Sequence, residues 1–106
     1  MPKYMFQANL VGEGVKGLLK EGGTNRRLAV EKTAQSVGGT LEGFYFAFGG
    51  VDVFAIVELP DNAAAAAVAL TISASGAVVA KTTVLLTPEE MDAAVKKTPS
   101  YRAPGQ

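Results

Sequence analysis

The segment Gly49-Gly50-Val51-Asp52 constrains the fold of this chain more than any other feature, because it joins two apolar runs. The runs, residues 41–48 and 53–59, have the two-residue period that is typical of β-strands. Glycine readily adopts the positive φ that a tight connection between antiparallel strands requires. The segment therefore predicts a β-hairpin in the middle of the chain.

Helical and strand patterns flank this hairpin on both sides. Gly22-Gly23 interrupts an early helical pattern, so we expect one helix broken in two. Thr87-Pro88-Glu89-Glu90 has the form of a capping box with proline at the first helical position, and it predicts a last helix with Met91, Ala94 and Val95 as its buried face. The predicted elements, in chain order, are strand 4–9, helices 12–21 and 24–37, strands 41–48 and 53–59, helix 63–75 capped by Asp61 or Asn62, strand 78–86 and the helix that follows Thr87.

This order of elements predicts an α+β fold, the ferredoxin-like βαββαβ plait. Right-handed crossovers then give a four-stranded antiparallel sheet with the main helices on one face, and an extra helix follows the last strand. At 106 residues the chain has the length of a single domain. We expect that domain to span residues 1–97, with residues 98–106 as a C-terminal tail.

Both faces of the predicted hairpin are apolar, whereas an antiparallel sheet with one solvated face usually has polar residues on that face. The face without helices therefore needs a cover, and we expect a second copy of the chain, in a homodimer or a higher homo-oligomer. Residue parity divides the hairpin into two sets, one of Glu42, Phe44, Phe46, Phe48, Phe54 and Ile56, the other of Tyr45, Ala47, Val53, Ala55, Val57 and Leu59.

The composition of the chain excludes several classes of site. The chain has no cysteine and no histidine, so thiolate or imidazole zinc sites, haem ligation by these residues and a Ser-His-Asp relay are excluded. We expect no metal and no cofactor. Ten basic and ten acidic residues balance, which gives no support to a nucleic-acid partner. No apolar run approaches the roughly 18 residues of a membrane span, and we expect a cytoplasmic protein without a membrane partner.

Four polar residues are candidates for a ligand site at the mouth of the space between the sheet and the helices. Asn9 ends the first strand, and Arg26 opens a helical stretch where the helix dipole disfavours a cation. Tyr45 lies in the second strand, and Lys81 is the single cation of the last strand. If these side chains converge, they suit an anionic or carboxylated small molecule. The glycine pattern of residues 12–17 does not predict dinucleotide binding, because no acidic strand end follows at the required spacing.

The motifs of the chain resemble those of the GYD-domain family, small bacterial proteins grouped with the dimeric α/β-barrel superfamily. Val51 replaces the tyrosine of the Gly-Tyr-Asp motif between Gly50 and Asp52, and Val79 stands near the place of an arginine that is usual early in the last strand. The resemblance implies a ferredoxin-like fold and a dimer, but no particular activity. The resemblance covers residues 4–95. It depends on the first strand, an arginine at the second helical stretch, residues 13–17, 38–41, 48–53 and 58–62, Gly76, Thr82 and residues 87–90.

Two functions from different classes fit these observations. The first is a non-catalytic oligomeric module that binds a small molecule or serves regulation or scaffolding. The alternative is a cofactor-free enzyme of the dimeric α/β-barrel type that acts on a small aromatic or carboxylated compound. We favour the first, because aromatic residues are more often core than pocket and because histidine and tryptophan are absent. The aromatic set that supports the enzyme is Tyr4, Phe6, Phe44, Tyr45, Phe46, Phe48 and Phe54.

Overall fold

Four antiparallel strands form one sheet, in which the second strand of the chain lies beside the third, the third beside the first and the first beside the fourth, so the first strand lies in the interior of the sheet. The structure, a computed structural model, describes residues 1–106. This arrangement confirms the predicted ferredoxin-like plait with an additional C-terminal helix. None of the helices is long and apolar enough to cross a membrane. The elements are β1 (Lys3–Leu10), α1 (Glu13–Ser36), β2 (Thr40–Phe46), β3 (Val53–Glu58), α2 (Asn62–Ala74), β4 (Val78–Leu85) and α3 (Pro88–Val95).

Helices α1 and α2 cover one face of the sheet, and the hydrophobic core lies between this face and the two helices. Side chains alternate along each strand, so every second residue of β1 and β3 points towards the helices. Tyr4 is almost completely buried, and its hydroxyl donates a hydrogen bond of 2.6 Å to Asn62 Oδ1 at the start of α2. The core consists of Tyr4, Phe6, Ala34, Ala55, Val57, Leu59, Ala65 and Val68.

The opposite face of the sheet, which we call the open face, has no helix on it. Phe44 lies opposite Ala55, and Tyr45 lies opposite Phe54. From Gly43 to Phe46 the pairing therefore joins even residues of β2 to odd residues of β3, and the members of each pair share a face of the sheet. The predicted grouping of Phe44 and Phe46 with Phe54 and Ile56 is wrong for this reason. Open-face residues include Lys3, Met5, Gln7 and Asn9 of β1, Tyr45 of β2, Phe54 and Ile56 of β3, and Val79, Lys81, Thr83 and Leu85 of β4.

Helix α1 is kinked at Gly22, where φ is 81° and ψ is 169°. The predicted break in the first helix is thus confirmed as a single non-helical glycine rather than a gap between two capped helices. The segment before the kink crosses one end of the sheet. A Cβ at Gly14 would overlap the Ala77 carbonyl beside β4, and a Cβ at Gly23 would meet the Phe46 ring at the end of β2. The segment after the kink packs against the sheet through Ala34.

The last helix begins as the sequence predicts but does not bury its apolar side. Thr87 Oγ1 accepts from the Glu90 backbone N–H at 3.1 Å, and Glu90 Oε1 accepts from the Thr87 N–H at 3.0 Å. However, the predicted burial of α3 is wrong: Met91 is 49% exposed and Val95 is 70% exposed. We call residues 86–106 the C-terminal arm. The arm extends from the body, and the Cα radius of gyration is 16.7 Å where about 13 Å is usual for this length.

Candidate functional site

A cavity of about 290 Å³ lies between the sheet and the two helices that cover it. Small side chains leave this space open, since Ala8 of β1 lies beside Ala80 of β4 and Val53 of β3 at the end of the sheet. Of its 18 lining residues, 15 are hydrophobic. They are Phe6, Ala8, Leu10, Phe44, Val53, Ala55, Val57, Leu59, Val78 and Ala80 from the strands and β3–α2 connection, Val30, Ala34, Val68 and Ile72 from the helices, and Ala77 before β4.

The polar lining of the cavity consists of Arg26, Thr33 and Ser75. The Thr33 hydroxyl donates to the Ala29 carbonyl at 3.0 Å, and the Ser75 hydroxyl donates to the Ile72 carbonyl at 2.7 Å. Each hydroxyl has one proton to donate, and in both cases the backbone of the same helix takes it. Neither hydroxyl is therefore available as a hydrogen-bond donor to a molecule in the cavity.

Arg26 is the single charged residue of the cavity lining. Its side chain is 38% exposed, so the guanidinium lies at the rim between the cavity and solvent. Nη1 is 3.6 Å from Glu21 Oε1 on the other side of the Gly22 kink. A guanidinium has five N–H donors, and one ion pair at this distance leaves the others free for a ligand. The predicted candidate Arg26 thus lies at the mouth of the space between sheet and helices.

The structure does not bring the other predicted candidates to this cavity. Tyr45, Phe54, Gln7 and Lys81 form one row across the open face, with Tyr45 and Lys81 at its two edges. Three strand spacings of about 4.8 Å separate these edges by about 14 Å. Arg26 lies on the other side of the sheet. The four residues therefore do not converge on one site, because strand alternation divides them between the two faces of the sheet.

Asn9 and Asp52 fasten the hairpin loop to the end of β1. Asp52 Oδ2 accepts from the Leu10 backbone N–H at 3.0 Å. The Asp52 backbone N–H donates to Asn9 Oδ1 at 3.0 Å and to the Ala8 carbonyl at 3.1 Å. The aspartate of the Gly-Tyr-Asp motif therefore has a structural place in this chain. Gly50, the other motif residue, is exposed in the loop.

One charged cluster lies on the open face, away from the cavity. Lys3 Nζ forms ion pairs with Glu42 and with Glu58, the second at 3.0 Å. Hydrogen bonds to Glu42 and then Glu58 raise the pKa of Lys3 above its ordinary value. The hydrogen bond from Lys3 lowers the pKa of Glu58. Glu42 occupies the irregular position between Leu41 and Gly43 in the β2–β3 register, which places it beside Lys3.

The aromatic residues do not form a single pocket. Phe6 and Phe44 line the cavity, and Phe44 packs edge-on against Phe46 with 5.2 Å between ring centroids. Phe48 is fully exposed beyond the end of β2. Sequence reasoning missed most of the cavity lining. The signal was present as alanines at Ala8, Ala55 and Ala80, positions where strands more often carry larger side chains.

Comparison with known proteins gives one match. The sequence profile of the GYD domain matches residues 4–95, a range that includes every residue of the cavity lining. No curated protein and no solved structure matches the chain.

Proposed function

The chain belongs to the GYD-domain family, and we propose that it is a non-catalytic, homo-oligomeric module that binds a small molecule in the cavity between its sheet and helices. The observation that carries this proposal is the apolar cavity of about 290 Å³. Ligand pockets are typically concave and mostly apolar with a few polar groups that orient the ligand. The cavity has this character, with a guanidinium at its rim.

The chemistry of the lining favours binding over catalysis. A general acid or base must reach the proton it transfers, and the cavity lining contains no aspartate, glutamate, lysine or tyrosine. The hydroxyls of Thr33 and Ser75 donate to backbone carbonyls and have no adjacent base to activate them. The guanidinium of Arg26 has N–H donors and no acceptor, so it is suited to binding an anion.

The lining of the cavity also supports a bound molecule. The cavity is lined almost entirely by apolar side chains and opens to solvent beside Arg26. An apolar ligand that enters it removes this apolar surface from contact with water, which contributes about 25 cal/mol per Å² of surface buried.

The homo-oligomer is supported by surface area. The isolated chain exposes 7322 Å², whereas a folded monomer of 10.9 kDa exposes about 5,600 Å². The excess of about 1,700 Å² includes the exposed C-terminal arm as well as the open face, and one partner buries about 800 Å² in an interface of standard size. Met5, Phe54 and Ile56 provide an apolar centre to the open face. Our proposed unit is therefore a dimer with the two open faces packed together.

The binding part of the proposal is tested with 1-octanol, a neutral apolar probe, by amide chemical-shift titration of the ¹⁵N-labelled protein. We expect saturable shifts at Ala8, Val30 and Ala80, which line the cavity. Ala80→Leu fills the space and abolishes the shifts, while Ala67→Leu on the exposed side of α2 preserves them. An absence of saturable shifts at the cavity residues of the unmodified protein overturns the proposal.

The assembly is tested by light scattering coupled to size exclusion at micromolar concentration. We expect a mass near twice 10.9 kDa, or a higher even multiple of that mass. Ile56→Asp places a charge in the centre of the open face and should give a mass near 10.9 kDa. Leu70→Asp, on the exposed surface of α2, is the matched control and should leave the oligomer intact. A monomeric mass for the unmodified chain overturns the dimer.

A further inference from the structure

Resting on the proposed function, we infer that the ligand of the cavity is a small amphipathic carboxylic acid, with its apolar body among the alanines and valines and its carboxylate on Arg26. The cavity defines the size and the apolar character of this molecule, and the rim defines its charged group. Each of these constraints follows from a different observation.

The size of the ligand follows from the volume of the cavity. A water-sized group occupies about 30 Å³ in a liquid, so 290 Å³ accommodates about ten non-hydrogen atoms. Nucleotides and other large cofactors exceed this number by a wide margin. Acids with a short alkyl chain or a single aromatic ring fit it. Octanoate has the required size, and 1-octanol is its neutral counterpart.

The apolar body follows from the distribution of polar atoms. Thr33 and Ser75 already donate their protons to backbone carbonyls, so no donor faces the ligand away from Arg26. The two hydroxyl oxygens can only accept, so a ligand with several hydroxyl or amide groups along its length would leave most of these groups without a partner in the cavity, at a free-energy cost for each unpaired group. The ligand therefore carries its polar group at one end only.

The charged group follows from the guanidinium at the rim. The distance of 3.6 Å between Arg26 and Glu21 is longer than the 2.7–2.9 Å of a charge-assisted hydrogen bond, and both side chains are 38% exposed. A ligand carboxylate at hydrogen-bond distance competes well with this loose pair. Carboxylate and guanidinium also match as planar partners with two parallel hydrogen bonds. A phosphate group carries about −1.5 to −2 charge at pH 7, which a single arginine does not neutralise.

The test compares octanoate with 1-octanol by isothermal titration calorimetry on the full chain. We expect octanoate to bind the unmodified protein at least tenfold more tightly than octanol. Arg26→Met, which keeps much of the side chain without its charge, should weaken the binding of octanoate by at least tenfold and leave the affinity for octanol unchanged. Arg27→Met is the matched control, because Arg27 is exposed and does not line the cavity. It should leave both affinities unchanged.

The outcomes separate the two proposals. The proposal that the ligand is a carboxylate is overturned if octanoate and octanol bind with equal affinity, or if Arg26→Met binds octanoate as tightly as the unmodified protein does. In either case the proposal that the cavity binds a small molecule is unaffected. An absence of binding by both probes overturns the proposed function itself. Octyl phosphate adds a third arm, and tighter binding of this probe than of octanoate also overturns the carboxylate. Octanol binding by Arg26→Met reports that this variant is folded.

Discussion

Replacement of Asp52 by alanine tests whether the motif aspartate is structural in this chain. The Asp52 carboxylate accepts a hydrogen bond from the Leu10 N–H at the end of β1. In Asp52→Ala, this half-buried N–H has no acceptor within the protein. The Asp52 backbone N–H keeps both of its acceptors, Asn9 Oδ1 and the Ala8 carbonyl, so the loop loses one anchor and not all of them.

The expected magnitude follows from these contacts. A hydrogen bond to a charged acceptor contributes about 1.5–3 kcal/mol, and partial exposure places this one at the lower end, about 1.5 kcal/mol. In a domain of this size 1 kcal/mol shifts the melting temperature by about 4–5 °C, so we expect a fall of about 7 °C. Asn9→Ala should cost about 0.5 kcal/mol or less, because the Ala8 carbonyl continues to accept from the Asp52 N–H.

Differential scanning calorimetry and urea unfolding measure both values. Asp52→Asn keeps an oxygen acceptor without the charge and should lie between the unmodified protein and Asp52→Ala. Asp92→Ala is the control for loss of one negative charge, because Asp92 is exposed on α3. The reasoning is refuted if Asp52→Ala melts within about 1 °C of the unmodified protein, a shift of under about 0.3 kcal/mol. Asp52 would then have no structural role in the loop.

Three further predictions concern stability and use thermal unfolding followed by circular dichroism. The pKa of Glu58 in the folded protein is lowered from 4.5. Its pairing with Lys3 therefore stabilises the fold above pH 4.5, and this stabilisation is lost as the pH falls through the lower folded-state pKa. The destabilisation by Lys3→Met should accordingly be smaller at pH 3 than at pH 7. An undiminished effect at pH 3 would contradict this. Gly17→Ala should stabilise the fold by about 0.5–1 kcal/mol, because alanine loses less conformational entropy than glycine within a helix and its methyl meets no atom within 4 Å. Gly39→Ala should destabilise the fold by about 1–3 kcal/mol, because its methyl would overlap the Glu58 carbonyl and Leu59. The reverse order would show that packing at Gly39 relaxes freely. Deletion of residues 98–106 should leave the melting temperature within about 2 °C, because these residues are exposed and belong to no helix or strand, and a larger fall would reveal packing of the tail.

The elements of the fold could be predicted because their signals are local. The capping residues around Thr87 fix the start of α3 through bonds within four residues, and Asp61 caps α2 through a bond of 2.9 Å to the Ala64 N–H. The kink at Gly22 follows from the backbone freedom of glycine itself. The hairpin follows from two alternating runs and the loop between them. In each case the residues that carry the signal are the residues that form the structure.

The arrangement of the site could not be predicted because it depends on register between distant segments. The hairpin loop sets the pairing of Phe44 with Ala55, which turns Phe44 towards the helices and Tyr45 away from them, and the irregularity between Leu41 and Gly43 then changes the register of the residues before it. The cavity exists because the side chains of the strands and helices together do not fill the space between them, and no single segment of the sequence determines this. The exposure of Met91 likewise depends on where β4 ends relative to the body, which the pattern within α3 does not contain.

The strand order has a consequence for how the chain folds. β2 and β3 are adjacent in sequence and pair through a short loop, so this contact forms early. β1 is synthesised first, yet its pairing residues lie far along the chain: Phe6 pairs with Ala55 and with Thr82. On the ribosome, β1 therefore waits for β3 to supply one edge and for β4 to supply the other. Until β4 emerges, β1 is an unprotected edge strand, and this interval is the one in which chains are most prone to pair with each other.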